Sequence, residues 1–194
     1  KSLFLAKKKK KVDGHDYLEQ AAKNGAIVAV VDQDFVCENP PLFLVHVNDV
    51  KVTLQEMAKS LIAFWKPKII AITGSLGKTS TKDFTLALTK PYVSIYGTPH
   101  SYNSQLTLPL TILNTPRPMD YLVLEMGLNQ PGELDILLDI APPTYAVLTS
   151  LAHAHIEAFN DFETLALEKM KIFSKKSTQI GFYNQDMPFS SLAE

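Results

Sequence analysis

The sequence predicts an α/β protein, a small N-terminal α/β domain followed by a larger one built on a doubly wound, mostly parallel sheet. Three observations carry this. Apolar segments of four to six residues, the length of buried strands, alternate with longer stretches whose apolar residues recur at i, i+3 and i+4. A glycine turn, Gly74 to Gly77, falls where one such strand gives way to a helix. The 194 residues, 46% of them hydrophobic and with a formal charge of −1, suffice for one large or two small globular domains.

In chain order, a helix is expected over Asp16–Lys23, stopped by Asn24-Gly25, then strands over Ala26–Val31 and Leu42–Val47. Leu54, Met57, Ala58, Leu61, Ile62 and Trp65 recur at helical spacing, so an amphipathic helix is expected over Thr53–Trp65 with Trp65 in the core. Lys66-Pro67-Lys68 breaks it, and a domain boundary is placed at Pro67. Beyond it the expected order is strand Ile69–Thr73, helix Lys78–Leu88, strand Tyr92–Tyr96, helix Gln105–Leu113 and strand Tyr121–Met126. Helix Glu133–Ile140, strand Tyr145–Thr149 and helix Phe162–Phe173 complete it.

Composition narrows the function classes. The longest apolar run, Ala26–Val31, is far below the roughly 18 residues that span a bilayer. The opening "KSLFLAKKKKK" has its charges after a short apolar patch, the reverse of a secretory signal, so the cytoplasm is the default compartment. Lys7 to Lys11 read as a solvated loop: no aromatic residues interleave and no basic stripe recurs, so no nucleic-acid partner is expected. Cys37 is the sole cysteine, which excludes an internal disulfide or a cysteine zinc cluster, and it reads as a small buried hydrophobe. The chain starts without Met and ends at "SSLAE", the expectation for part of something longer.

A glycine turn between a buried strand and a helix directs backbone N–H groups and the positive end of the helix dipole at one point, which suits a phosphate. Lys78 adds charge for the β and γ phosphates, and the Thr79 hydroxyl is placed to ligate Mg²⁺. Glu125 ends an apolar strand, where a carboxylate is costly alone but well placed to hold a cation. Lys78, Glu125 and His155 all fall at or beyond expected strand ends, where such sheets bind ligands. Each has a plainer reading as well: a capped turn, a solvated glutamate, a structural histidine.

The stretch "TGSLGKTST" resembles the T-G-x-x-G-K-T-[ST] loop of the Mur ligase family, ATP-dependent amide-forming enzymes of peptidoglycan synthesis. Ile72, where the general P-loop pattern has glycine, then belongs to the strand. "VDGHDYLEQAAKNGA" is similar to the D-G-H-x-[FY]-[IL]-x-x-A-x-x-x-G-A segment of the family's substrate-nucleotide domain, and "LEMG" and "AHIEAF" follow in family order. "EKMKIF" resembles A-K-x-E-I-F, with Glu168 for alanine and Lys171 for glutamate. "TPHSYNSQLTLPLTIL" resembles N-x-N-N-x-[IL]-G-x-P-L-T-[IL]-L of the member that adds D-alanyl-D-alanine to UDP-N-acetylmuramoyl-tripeptide. There Asn103, Pro109, Leu110 and Thr111 match, while Ser101, Ser104 and Thr107 stand for Asn, Asn and Gly. Ser150 and Asn160 replace asparagine and glycine elsewhere, and His153 lies outside the pattern.

The resemblance implies ATP and Mg²⁺ as cofactors, with Thr73, Gly74, Ser75, Leu76, Gly77, Lys78, Thr79 and Ser80 around the nucleotide. It implies Thr79, Glu125, His155 and Lys169 around magnesium, Lys78, Asn103, His155 and Lys169 in catalysis, and Lys169 carbamylated by CO₂. The tripeptide carboxylate would take the γ-phosphoryl group of ATP, and the amine of D-alanyl-D-alanine would attack the acyl phosphate. Residues 1–66 would be part of a UDP-sugar-peptide-binding domain and 67–194 part of an ATP-binding domain, with the family's C-terminal domain absent. Such a chain is expected to be monomeric, to enter no membrane, to bind nucleotide weakly and not to turn over alone. The related ligase that adds the third amino acid, a folylpolyglutamate-synthase-like enzyme, against which "DGHDYL" argues, and a nucleotide-binding module without ligase activity are the alternatives.

Overall fold

The computed structural model describes residues 2–8, 12–116, 119–152 and 156–193, which form two compact units, Lys1–Glu56 and Met57–Glu194. In the first unit, β1 (Ser2–Leu5), β2 (Ala26–Asp32) and β3 (Phe43–Val47) form a parallel sheet in that order, with Ala29 opposite both Phe4 and Leu44. Alternate residues of β2, Ala29 and Val31, pack with Leu18 and Ala21 of α1 (Leu18–Lys23) and with Ala6 and Leu42. The expected helix thus begins two residues early, as a 3₁₀ turn over Gly14–Tyr17 whose start is capped by Asp13, which accepts from His15 N at 3.0 Å. β1 was not expected. Its four residues are too few for a periodic signal, and it is the pairing with β2, continued by Ala6 N donating to Val30 O, that makes it a strand. Cys37 is half-buried rather than buried.

The division between the units falls inside α2 (Val50–Trp65), whose later residues Ala58, Ile62 and Trp65 pack into the core of the second unit. That unit has a five-stranded, wholly parallel sheet of β4 (Lys68–Thr73), β5 (Ile95–Gly97), β6 (Tyr121–Glu125), β7 (Tyr145–Leu148) and β8 (Ile180–Tyr183), in the order β5-β6-β4-β7-β8. Strand residues of one parity, Ile69, Ala71, Leu122, Leu124 and Ala146, face α2, α4 (Thr107–Leu113), α5 (Glu133–Ile140) and α6 (Phe162–Met170). Those of the other parity, Ile72 and Val123, pack with Ile95 and with Leu86 of α3 (Lys78–Thr89). Burial on both faces is why these strands read as continuous apolar runs.

β5 is shorter than expected, because Tyr92 and Val93 donate their N–H groups to Thr89 O and prolong the end of α3 instead of entering the sheet. α4 starts at Thr107, after a turn in which Ser104 Oγ accepts from Thr107 N at 3.3 Å; Pro109, third in the helix, occupies a turn where its missing N–H has no intrahelical partner to lose. The chain passes from central β4 to β5 on one side and, after β6, to β7 on the other. That reversal opens a crevice at the carboxyl ends of β4 and β6.

Candidate active site

The loop after β4 enters α3 through Gly77, which has φ +83°, and among the described residues no side chain caps that helix start. The first N–H groups of a 12-residue helix are therefore left without an intrahelical partner at the carboxyl end of β4, where they can receive an anion. Gly74 has φ +147°, and a Cβ there would lie 2.0 Å from Thr149 Oγ1, so no other residue fits. The loop is held from behind by the segment after β7. Ser75 N donates to Ser150 O at 2.9 Å, Leu76 N to Ser150 Oγ at 3.0 Å, and Thr149 Oγ1 to Leu76 O at 2.6 Å. Ser75 Oγ completes this brace by donating to Ala152 O at 2.9 Å. Thr149 and Ser150 as loop supports were not apparent in the sequence, where Ser150 stood out only as a departure from the family's asparagine.

Within the turn the expected nucleotide residues divide by role. Thr73 is fully buried and its hydroxyl donates to Met126 O at 2.8 Å, tying β4 to the end of β6. Lys78 Nζ folds back to donate to Gly74 O at 2.7 Å. Its half-buried ammonium is pushed below the usual lysine pKa by desolvation, against the attraction of Glu125. Ser80 lies exposed on the first turn of α3.

Glu125 is 1% exposed, and both of its carboxylate oxygens are partnered. Thr79 Oγ1 donates to Oε2 at 2.9 Å and Asn103 Nδ2 to Oε1 at 2.8 Å, while Ser101 Oγ lies 3.3 Å from Thr79 Oγ1. Asn103 is fixed in turn: its carbonyl accepts from Gly127 N at 2.8 Å, and a Cβ on Gly127 would come within 2.9 Å of its side chain. Lys169, on the last turn of α6, lines the same cleft with Gly74, Lys78, Asn103 and Gly127. It is 4% exposed, and burial, with the charge of Lys78 adding, lowers its pKa from 10.5 to about 8. His153 and His155 lie outside the described residues.

The two departures beside Lys169 face away from it. Lys171 Nζ donates to Asp135 at 2.8 Å and pairs with Glu168 at 2.7 Å, and Glu168 accepts from Gly132 N at 3.0 Å. Together they clamp α6 to the start of α5, and the two carboxylates raise the Lys171 pKa.

A doubly wound sheet with a glycine loop, an uncapped helix start and a buried carboxylate at its switch point defines a P-loop protein. More narrowly, the chain belongs to the Mur ligase family: residues 72–194 match the Mur ligase middle domain, and residues 1–66 match the model described as Mur ligase family, catalytic domain. It is 35% identical over 174 residues to the UDP-N-acetylmuramoyl-tripeptide--D-alanyl-D-alanine ligase of Bacillus subtilis, covering 89% of this chain and 38% of that protein. To the ligase of the same name from Escherichia coli it is 32% identical, over 89% and 37%. Among solved structures, MurF from Acinetobacter baumannii superposes with a TM-score of 0.88 at 25% identity, over 98% of this chain and 42% of that one. MurF ligase from Thermotoga maritima in complex with ADP gives 0.83 at 34%, over 95% and 43%. The chain thus spans about two fifths of the length of these relatives.

Proposed function

We propose that this chain carries the acyl-activating machinery of an ATP-dependent ligase that joins D-alanyl-D-alanine to UDP-N-acetylmuramoyl-tripeptide. The observation that carries the reading is the convergence on one cleft of Lys78 and Thr79 with Glu125, Asn103 and Lys169. Its relatives bear that activity in their names, and one is a complex with ADP. In this reading residues 1–66 serve the UDP-sugar-peptide and 67–194 the nucleotide.

The donor set fits magnesium. The Thr79 hydroxyl and the Glu125 carboxylate are hard oxygen ligands already 2.9 Å apart. Among the described residues no cluster of three His, Cys, Asp or Glu exists, so the remaining ligands would be phosphate oxygens and water, as magnesium prefers. When bound, the ion supplies neutralisation of charge on the nucleotide phosphates. The chain's own groups do the rest. The N–H groups at the start of α3 and the Lys78 ammonium would hold the phosphates, and Asn103 holds Glu125 in place.

Lys169, with a pKa of about 8, keeps an appreciable fraction of neutral amine near physiological pH. A neutral amine attacks CO₂, forms an N–C bond and releases a proton, which leaves an anionic carbamate. That would turn the repulsion between Lys169 and Lys78 into attraction.

The test is to incubate the chain with ATP, Mg²⁺, UDP-N-acetylmuramoyl-tripeptide and hydroxylamine, which traps an acyl phosphate as a hydroxamate. Equal yields of ADP and hydroxamate from a form extended to its relatives' length, lost in Lys78→Ala, support the reading, with little or no turnover expected from this chain alone. Nucleotide binding without hydroxamate, from this chain and from a form extended to its relatives' length, would leave a nucleotide-binding module instead.

A further inference from the structure

Lys82 lies one turn beyond Thr79 on α3 and is 3% exposed, a burial that lysine seldom adopts unless it is paired. Its ammonium donates to Thr98 O at 2.9 Å and His100 O at 2.8 Å, with the exposed Asp83 carboxylate 3.1 Å away. Both carbonyls belong to the segment between β5 and α4, which His100 enters with φ +48°, a conformation unfavourable for a residue with a Cβ. The same segment carries three groups that meet the magnesium candidates. Thr98 Oγ1 accepts from Glu125 N at 2.9 Å, Ser101 Oγ lies beside Thr79 Oγ1, and Asn103 Nδ2 donates to Glu125.

We infer that Lys82 is a positioning residue for the metal-bound nucleotide: it pins the 98–103 segment to α3 so that Ser101 and Asn103 address Thr79 and Glu125 together. It touches neither phosphate nor metal. Two neutral carbonyls and one carboxylate that is 62% exposed, and so screened by solvent, repay the desolvation of a buried ammonium poorly, so fold stability alone is a weak reason for a lysine here. What the cation supplies is two charge-assisted bonds on one short, strained turn, and through that turn a fixed distance between Thr79 on the helix and Glu125 on β6.

The inference rests on the nucleotide reading above, and ADP titration separates the two. Affinity is measured with magnesium and with chelator for the unaltered chain and for Lys82→Met, beside circular dichroism and amide exchange of residues 98–103 and 125–127. If the unaltered chain binds ADP no better with magnesium, the nucleotide reading fails first. Otherwise Lys82→Met should cut the magnesium-dependent gain by about tenfold, close to the value of one charged hydrogen bond at the low end of its range, and leave metal-free affinity within about twofold. Exchange at Glu125 and Gly127 should quicken while β7 stays protected. A retained magnesium gain, or equal losses with and without the metal, would overturn the inference. Should Lys82→Met not fold, Lys82→Gln carries the same comparison, since its shorter amide spans one carbonyl at most; a loss of about threefold in the magnesium gain is then expected, and none overturns it.

Discussion

The two banks of the cleft hold buried charge in opposite ways. On one, Glu125 has each carboxylate oxygen satisfied, by Thr79 and by Asn103, and the arrangement is complete without a ligand. On the other, Lys169 is as deeply buried but has Lys78 as its charged neighbour, and its ammonium is destabilised. The anionic bank is preorganised, whereas the cationic bank is destabilised first by desolvation and then by the charge of Lys78, a cost that added negative charge relieves. A site built this way gains most from a polyanion seated between Lys78 and Lys169, because the ligand removes an existing cost as well as adding contacts.

Removing the cation that both banks share should have the largest effect. Lys78→Ala deletes the charged donor next to the helix start and is expected to weaken ATP binding by about a thousandfold, the sum of two charge-assisted contacts to phosphate. Circular dichroism should be unchanged, because the side chain only folds back onto Gly74 O and belongs to no core cluster. The same change should raise the pKa of Lys169 by deleting its charged neighbour. Unchanged affinity on nucleotide titration would refute the phosphate role of the loop.

Next in size is Lys169→Met. With a folded-state pKa of about 8 against 10.5 for the free side chain, the unfolded chain binds more protons between those values. Stability therefore rises as pH rises from about 8 to 10.5, and below pH 8 the full penalty, on the order of 3 kcal/mol, is present. Lys169→Met should remove most of it, raising the denaturation midpoint at pH 7 and flattening the pH dependence above 8, in CO₂-free buffer. A destabilised variant with the slope intact would mean that the ammonium is not the strained group. Adding bicarbonate should stabilise the unaltered chain and not the variant.

This contrast was only half legible in the sequence. Gly74, Gly77, Lys78 and Thr79 stand in one continuous stretch, so the strand, turn and helix around them could be read from local chemistry. Glu125 and Lys169 were legible as candidates, but their opposite states depend on partners 22 and more residues away, Asn103 for one and Lys78 for the other. Lys82 reads as an ordinary helical lysine, because its two acceptors are backbone carbonyls that leave no trace in side-chain identity. β1 and β8 escaped for a similar reason: each is four residues long and is a strand only through its neighbour.

A smaller effect tests the satisfied bank. Glu125→Gln keeps the shape and an acceptor for Asn103 but removes the charge, so fold stability should change by about 1 kcal/mol or less. The magnesium-dependent part of nucleotide affinity should fall by about tenfold, with metal-free affinity nearly unchanged. Titrations with magnesium and with chelator decide this, and equal losses in both would assign the carboxylate to structure rather than to the metal.

The smallest expected effect concerns Lys171, the cation two residues from Lys169 that replaces the family's glutamate. Proximity in sequence suggests that it adds to the repulsion on Lys169, yet its ammonium points to Asp135 and Glu168 and is neutralised there. The charges that lower the Lys169 pKa include Lys78 and not Lys171. Lys171→Met should therefore leave the pH dependence attributed to Lys169 where it was. It should cost about 1 kcal/mol or less, since Lys171 is about one-third and Asp135 nearly half exposed and such ion pairs are screened. Some of that cost is the release of Glu168, which among the described residues would keep the Gly132 N–H as partner. The measurement is the denaturation midpoint of both proteins from pH 7 to 10. Parallel curves separated by a small constant offset are expected, and a variant whose midpoint no longer climbs above pH 8 would place Lys171 inside the strained bank after all.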